Sequence, residues 1–324
     1  QRSSSMPGAS ATVKVRGITT MSDSSPLILV DGMAVSSLDN VPTEDVRQIT
    51  VLKDAASAAI YGARAASGVI LITTKEASEG QLQIGYNGEV SVVTPTEFPS
   101  YRTGVLDYMN DFNEYSWNDA GNPEGGEYAG FSKEFIDTYL QNNAYDPITY
   151  PDFNWKSAIL KNSSMRHKHN VTMTYGNKTI KSRTSAGYEN SNALYQGLSH
   201  ERLSLRSRNT IKLSDKWSGA LDFAFRQATK KDPQTGSPIK AANMYPSIYA
   251  GLYPDGRVAS GKEGSFSNTL GALREGGFQK TVSTNMTAKL SLSYKPVKGL
   301  DITANFTPTY NFVKTKSCLL YTSD

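Results

Sequence analysis

The run PLILVDG at residues 26–32 is followed by ITVLKDA at 49–55 and by AAIYGARAASGVI at 58–70. In the first run an apolar segment ends at Asp31-Gly32, a pair that favours a turn. Between the later runs lies an alanine-rich segment, Asp54 to Ile60, which predicts a short helix. Gly62 and Gly68 stand where chain reversals can need a positive φ. These features predict a small mixed sheet with four strands: Thr12 to Arg16, Leu27 to Val30, Ile49 to Leu52 and Val69 to Thr74.

From Gln83 onward the pattern changes to longer stretches in which apolar and polar residues alternate. Alternation with period two indicates strands that have one apolar and one polar face. Roughly seven such strands of about 10 residues follow one another, a length that crosses a membrane in a β-barrel. We therefore expect one set of side chains to face lipid (Leu203, Leu205, Phe223, Leu290, Leu292, Ile302 and Phe306) and another to face the interior (Arg206, Arg208, Lys289 and Asn305).

The connections between these strands alternate in length. Gly176 to Lys178, Ser214 to Lys216 and Pro296 to Gly299 form tight turns, whereas two other connections run to about 75 and about 50 residues. In transmembrane barrels short turns lie on the periplasmic side and long loops on the outer side. Three aromatic residues stand at strand ends beside the short turns, where an aromatic girdle would lie: Tyr175, Trp217 and Tyr294. A soluble β-sandwich shares the alternation and stays the alternative, although its loops rarely reach these lengths.

Composition excludes several other classes. A formal net charge of +4 over 324 residues, without a block of basic residues, gives little support to a nucleic-acid partner. The single cysteine, Cys318, cannot form a disulfide or a zinc cluster within the chain. Motifs of metalloproteases and serine hydrolases are missing from the sequence, so we expect neither an enzyme nor a cofactor.

The three runs quoted above resemble the plug domain of TonB-dependent receptors over about 60 residues, and Val15-Arg16-Gly17 matches the strand before them. Within that superfamily, VLKDA at 51–55 with IYG at 60–62 is similar to the SusC/RagA branch. Ser67 stands where the family more often has Asn. The signature residues are interpreted as structural: Asp31, Gly32, Leu52, Lys53, Asp54, Ala55, Tyr61, Gly62, Arg64 and Gly68.

The resemblance implies a β-rich fold with two parts. Residues 1–77 are expected to be the C-terminal part of a small α/β plug domain, and residues 78–316 the first strands and loops of an antiparallel transmembrane β-barrel. Residues 317–324 lose the alternation and are expected to be a tail of uncertain origin. The TonB-contacting box and most of the barrel of this family are not expected in the chain.

The function implied by the resemblance is TonB-dependent import of oligosaccharides or oligopeptides across the bacterial outer membrane. The implied partners are the TonB complex, a SusD-like lipoprotein, the substrate and outer-membrane lipid. One alternative within transport is a siderophore or cobalamin receptor. The alternative from another class is a β-rich adhesin or glycan-binding protein.

The first long loop is rich in aromatic residues interleaved with acids and amides, a composition that suits sugar or peptide contacts. Tyr115, Trp117 and Trp155 are the predicted contact residues. Other aromatics there have helical spacing, which predicts two small helices around Met109 and Ile136. On a later strand, His167 and His169 share one face, and we interpret them as polar interior residues rather than metal ligands.

Overall fold

The structure, a computed structural model, describes residues 6–9, 13–15, 25–35, 37–38, 41–53, 59–96, 104–259 and 268–319. Four short strands form the small sheet in the order β2-β1-β4-β3. Strand β1 runs parallel to β4, and the other two pairs are antiparallel. The strands are β1 (Leu27–Val30), β2 (Met33–Val35), β3 (Val46–Leu52) and β4 (Val69–Thr74).

The small sheet has an apolar core because β1 and β4 are buried on both faces, as their continuous apolar sequences predict. Val30 is 1% exposed and Val69 is fully buried. The predicted strands at 27–30 and 69–74 are confirmed, and the third begins at Val46 rather than Ile49. The structure adds β2, which is too short to show a pattern.

Two other expectations for this part fall largely outside the described residues. Of the predicted strand Thr12 to Arg16, only 13–15 are described; they are not in a strand, although Val13 and Val15 pack against the small-sheet core. Of the predicted helix, residues 54–58, with Asp54 and Ala55, lie outside the described part. Residues Ala59–Ala65 form a 3-10 segment that Gly62 interrupts at φ 69°.

The remaining strands form one large antiparallel sheet, in which each strand pairs with its sequence neighbour. Strands β11 and β12 both pair with β10, and Phe306↔Leu290 continues into Thr309↔Thr287 without a change of register. They are therefore two halves of one strand interrupted at Thr307-Pro308, so the sheet has the seven strands expected. Its segments are β5 (Gly80–Val93), β6 (Ser164–Gly176), β7 (Ile180–Asn192), β8 (Ser199–Lys212), β9 (Trp217–Pro233), β10 (Gly277–Tyr294), β11 (Ile302–Phe306) and β12 (Thr309–Leu319).

The large sheet has an outward face and an inner face, and the small sheet packs only against the inner one. The predicted lipid-facing residues lie on the outward face, where Leu203, Leu290 and Phe306 are 48%, 51% and 66% exposed. Arg206, Arg208 and Lys289 lie on the inner face, as predicted. On the outward face the Trp217 and Tyr294 rings stack at 4.3 Å, beside the short turns.

The interpretation of His167 and His169 as interior residues is wrong. Both occupy odd-numbered positions on β6, as Val171 and Met173 do, and therefore lie on the outward face. The Tyr86 hydroxyl and His169 Nδ1 form a hydrogen bond of 2.7 Å, and the two rings stack. His167 contacts the rings of His169 and Tyr188. The two histidines thus belong to an aromatic group on the outside of the sheet.

Two long connections carry the helices, which are α1 (Val105–Asp119), α2 (Lys133–Tyr145), α3 (Trp155–Ile159), α4 (Pro238–Met244) and α5 (Thr269–Glu275). The two predicted helices are α1 and α2, and they pack through Met109, Ile136 and Tyr139. A second core joins α3, α4 and α5 across the two long connections through Trp155, Ala241 and Leu270. No helix within the described ranges is long and apolar enough to cross a membrane.

Candidate functional site

The tip of the β1–β2 hairpin presents a carboxylate to the inner face of the large sheet. Val30 pairs with Met33, so the loop has only two residues, Asp31 and Gly32, with φ of 48° and 83°. Positive φ at both positions is the requirement of a type I′ hairpin turn, which Asp-Gly satisfies at low cost. Local sequence therefore fixes where Asp31 points.

The Asp31 carboxylate is bound by four donor groups on two elements, β4 and β8. The Thr74 amide and hydroxyl donate at 3.0 and 2.6 Å, Arg206 Nη2 at 2.7 Å, and Arg208 Nη1 lies at 3.0 Å. The Asp31 and Arg206 side chains are only 7% and 9% exposed. Lys289 Nζ adds a hydrogen bond of 2.7 Å to the Asp31 carbonyl oxygen. The hairpin tip is thereby bound to β8 and β10 at once.

Asp31 is ionised at neutral pH. Burial alone would raise the pKa of its carboxyl, but the Thr74 hydrogen bonds and the charges of Arg208 and Arg206 outweigh burial and hold the pKa below its usual range. The two arginines accordingly meet a full negative charge, which makes these contacts charge-assisted hydrogen bonds.

A second buried carboxylate anchors the segment that leads into β3. Asp45 is 2% exposed, and its two oxygens accept from Arg183 Nη2 at 3.0 Å and from Ser185 Oγ at 2.5 Å. Both donors are on β7. The Asp45 carbonyl also accepts from the Lys75 amide at 2.8 Å, so β4 and the β3 entry are joined at the same point.

Two further ion pairs lie at the margins of this interface. Glu44 Oε1 is 2.5 Å from Lys168 Nζ on β6, and Glu76 Oε1 is 2.7 Å from Arg208 Nη2. Burial would raise the pKa of Glu44, but Lys168 outweighs it and lowers the pKa. We call the whole set the ionic interface; on the small-sheet side it comprises Asp31, Glu44, Asp45, Thr74 and Glu76, and on the large-sheet side Lys168, Arg183, Ser185, Arg206, Arg208 and Lys289.

Acidic groups on one side and basic groups on the other give the ionic interface its chemistry. One acid on the basic side, Asp222 on β9, accepts from Arg206 at 2.7 Å, so this arginine lies between two carboxylates. Such an interface holds two bodies in one register, yet water can replace each of its bonds when they separate. A continuous apolar core would not allow that exchange, because its exposure to water costs about 25 cal/mol per Å².

Beside the ionic interface, a cavity of about 750 Å³ lies between the small-sheet side, with residues 6–9, Leu38, Val41 and Thr43, and the inner face of β5–β9. Charged side chains line it, and several are paired with one another. Glu189 lies 3.0 Å from Arg166 and 2.5 Å from Arg202.

The three predicted contact residues are in different environments. Tyr115 is 63% exposed on α1, and a hydrogen bond to Asp119 raises the pKa of its phenol. Trp117 is half-buried and donates through Nε1 to Pro123 O at 2.9 Å. Trp155 is 2% exposed, packs edge-on against Phe153 and Tyr245, and donates to Tyr249 O at 3.0 Å. Its ring therefore mainly packs the core of the loop, and it also lines, together with Tyr115, a cavity of about 360 Å³.

Several of the described signature residues support the backbone or the core of the small sheet. Gly32, Gly62 and Gly68 have φ of 83°, 69° and 99°. At Gly68 a Cβ would lie 2.8 Å from the Val15 side chain, so both conformation and space require glycine. Tyr61 and Leu52 pack against the core formed by Leu29, Ala65 and Val69. The sequence predicts the turn at Asp31 but not the contact of Asp31 with Arg206.

Comparison with known proteins agrees with this geometry. Residues 1–69 match the family model of the TonB-dependent receptor plug domain. TonB-dependent receptor P26 of Formosa agariphila is 29% identical over 224 residues, covering 66% of this chain and 20% of the relative. TonB-dependent receptor SusC of Bacteroides thetaiotaomicron is 30% identical over 199 residues, covering 58% of this chain and 17% of SusC.

Among solved structures, the RagAB peptide importer in its open-open state superposes with a TM-score of 0.76 at 21% sequence identity. The superposition covers 98% of this chain and 37% of the RagAB chain. The small sheet thus corresponds to a plug, and the large sheet to part of a barrel wall; both names are used below. The matched part spans about a fifth of the length of the curated relatives.

A plug joined to antiparallel barrel strands is the architecture of TonB-dependent receptors, and the chain resembles this class in its plug domain, its curated relatives and its fold. Within that class, its sequence is similar to SusC and its fold superposes on RagAB, which supports the SusC/RagA type. The predicted fold class, β-rich with an α/β plug followed by part of a barrel, is confirmed.

Proposed function

We propose that this chain supplies the plug and the first wall strands of a nutrient importer in the bacterial outer membrane. In this proposal residues 1–77 are the plug part and residues 78–316 belong to the wall. The sequence expected to be a tail beyond 316 extends the wall as far as Leu319. Ser317 to Leu319 continue strand β12, and residues 320–324 lie outside the described part. The substrates are oligosaccharides or oligopeptides, the two classes that the resemblance implies.

The observation that carries this proposal is the ionic interface. A plug must stay in one position while no substrate passes and must shift when it does. Asp31, Asp45 and Glu44 provide the first property through paired charges. The plug can also shift, because each of these charged groups is well solvated when exposed. This solvation makes the separation of plug and wall less costly than the separation of an apolar contact.

The proposed energy source is the TonB complex of the inner membrane, acting on a segment N-terminal to the described plug strands. A SusD-like lipoprotein is the proposed partner on the outer side, where the long connections with α1–α5 lie. RagAB is a peptide importer, and the exposed Tyr115 on α1 offers a flat ring to either a peptide or a sugar.

A disulfide between plug and wall tests the proposal. Asp45 and Ser185 have short side chains whose oxygens lie 2.5 Å apart, so D45C with S185C is the best-placed pair. The pair is introduced together with C318S, which removes the single cysteine of this sequence. Uptake of a labelled tryptic digest and of labelled starch oligosaccharides is measured in whole cells before and after reduction.

Uptake of one of these probes should be blocked by the cross-link and restored by reduction, while each single cysteine variant transports in both conditions. Transport that continues with the cross-link fully formed would show that this part of the plug does not move. A receptor for siderophores or cobalamin would import neither probe, even when reduced.

A further inference from the structure

Four lysines lie together on the outward face of the wall at the ends of three neighbouring strands. Lys280 on β10 is directly opposite Lys231 on β9 and Lys316 on β12. Lys314 lies two residues before Lys316 on β12, opposite Val282. All four are exposed. Since neighbouring strands are about 4.8 Å apart, Lys231, Lys280 and Lys316 form a row across the sheet. We call these three residues and Lys314 the lysine row.

The lysine row has no carboxylate partner among the described residues. The inner-face neighbour Lys230 does have one, since its Nζ lies 2.8 Å from Asp232. In the row, Lys231 Nζ instead lies 5.0 Å above the Phe278 ring. Like charges directly opposite one another destabilise a sheet. A sequence that keeps three of them in register therefore points to an external anion that neutralises them.

The height of the lysine row identifies its surroundings. The stacked pair Trp217–Tyr294 and the pair Lys231–Lys280 are separated by 14 residues on each strand (231 − 217 and 294 − 280). At about 3.3 Å per residue and a tilt of about 40°, this is roughly 35 Å along the membrane normal. The apolar band of such barrels is about 25 Å tall. The row thus lies beyond the band, at the end that carries the long connections.

Between the two levels most of the outward face is apolar, and its polar residues Gln227, Thr229 and Thr284 lie on the side near the lysines. Phe225, Met286 and Tyr310 stand in one cross-strand line, and Phe312 lies one step closer to the lysines. This surface suits acyl chains, and long lysine side chains can extend from it to reach charged headgroups. Acyl chains below and cations above are the complement of an anionic lipid whose charge lies at the membrane surface.

We propose that the lysine row binds the phosphate groups of the outer-leaflet glycolipid, lipid A, beside β9, β10 and β12. The inference rests on the outer-membrane location in the proposed function. A bound lipid would fix the wall against the leaflet next to the strands that hold Lys289 and Arg206, without taking part in the ionic interface.

The test uses the complete receptor extracted from outer membranes and compares two double variants. K280Q/K316Q neutralises the centre of the lysine row. K178Q/K216Q removes the same charge from exposed turn residues at the opposite end of the strands. Binding of phosphorylated lipid A, dephosphorylated lipid A and inorganic phosphate in detergent is measured by native mass spectrometry and by the shift in Tm.

Phosphorylated lipid A should bind the wild type and the K178Q/K216Q variant alike. At about fivefold per lysine near an anionic surface, K280Q/K316Q should bind on the order of 25-fold more weakly, with the difference shrinking at high salt. Equal binding by both variants, or equal binding of dephosphorylated lipid A, would overturn the proposal. So would a change of oligomeric state in K280Q/K316Q with lipid binding intact, because the row would then bind protein.

The same preparations separate this inference from the proposed function. A wild-type receptor that is recovered in the outer membrane and imports a probe, but shows no preference for phosphorylated lipid A, contradicts the lysine-row inference alone. A receptor that is absent from the outer membrane contradicts both.

Discussion

Arg206 on wall strand β8 donates to Asp31 of the plug across 2.7 Å, although the two residues are 175 positions apart in the chain. The same Nη2 atom also lies 2.7 Å from Asp222 of β9. Removing the arginine would take away the ion-pair partner of Asp222 and leave Asp31 with Arg208 alone. Replacing one member of a buried ion pair is therefore far more damaging than its net contribution suggests.

Arg206→Met should loosen the plug from the wall. Loss of one partner from such a pair costs about 3–5 kcal/mol, which should appear as a lower Tm in detergent and as faster protease cleavage within the plug. Arg257→Met is the matched control, because Arg257 pairs with Asp255 on an exposed loop. Equal Tm values for the two variants would show that Arg206 does not hold the plug.

The contact between plug and wall should weaken in acid. The docked Asp31 has a pKa below its usual value, whereas a released Asp31 would titrate near about 3.9. Undocking therefore takes up protons, so docking is constant above about pH 4 and is lost as the pH falls through the docked pKa. Glu44 acts in the same direction.

Measurement of plug cleavage from pH 7 to pH 3 checks this dependence. Asp31→Asn should already be loosened at pH 7 and should show a smaller change on acidification, because the titrating group is absent. An unchanged slope in Asp31→Asn would assign the acid sensitivity to other carboxylates.

The register of the wall can be tested at two adjacent residues of β10. Leu290 is 51% exposed on the outward face, and Ser291 faces inward opposite Ala220 and Asn305. Leu290→Arg should cost about 2–4 kcal/mol because its charge enters the apolar band, and Ser291→Arg much less. The two values come from equilibrium unfolding of the receptor refolded in lipid vesicles. Equal costs at the two positions would contradict the assignment of faces.

The two faces of the wall could be predicted from the sequence because side chains in a strand alternate, whatever the strand packs against. The residues of the plug that these side chains contact could not be predicted from the sequence. Alternation places Arg206 and Arg208 on the inner face but contains nothing about Asp31, which reaches them only through the fold. The polarity of His167 and His169 predicts the inner face, but their odd-numbered positions on β6 place them on the outward face with Val171 and Met173.

Burial of Trp155 could not be read from the sequence for a related reason. Its core includes Ala241 and Leu270, which belong to a different long connection. By contrast, the spacing of Leu106, Met109 and Phe112 predicted α1 correctly, because a helix packs through residues close to one another in sequence.

The orientation of the wall can be tested by labelling whole cells with a membrane-impermeant maleimide in a C318S background. Tyr115→Cys should react, because Tyr115 is exposed on a connection expected on the outer side. Asp215→Cys, in the turn between β8 and β9, should react only after the cells are permeabilised. Labelling of Asp215→Cys in intact cells would reverse the topology.

Tyr115 and Trp155 should differ in what their loss affects. Trp155→Ala removes a buried indole that packs α3 against α4 and α5, and a change of this kind costs about 3–5 kcal/mol. Tyr115→Ala removes a ring that is 63% exposed, so stability should change by less than about 0.5 kcal/mol. If Tyr115 contacts substrate, its loss should instead raise the apparent KM for the imported probe. Trp155→Ala should lower Tm, with KM unchanged in the fraction that remains folded. A KM change in Trp155→Ala without loss of Tm, together with an unaffected KM in Tyr115→Ala, would mean that the substrate reaches the inner loop core and that the exposed ring on α1 is not a contact.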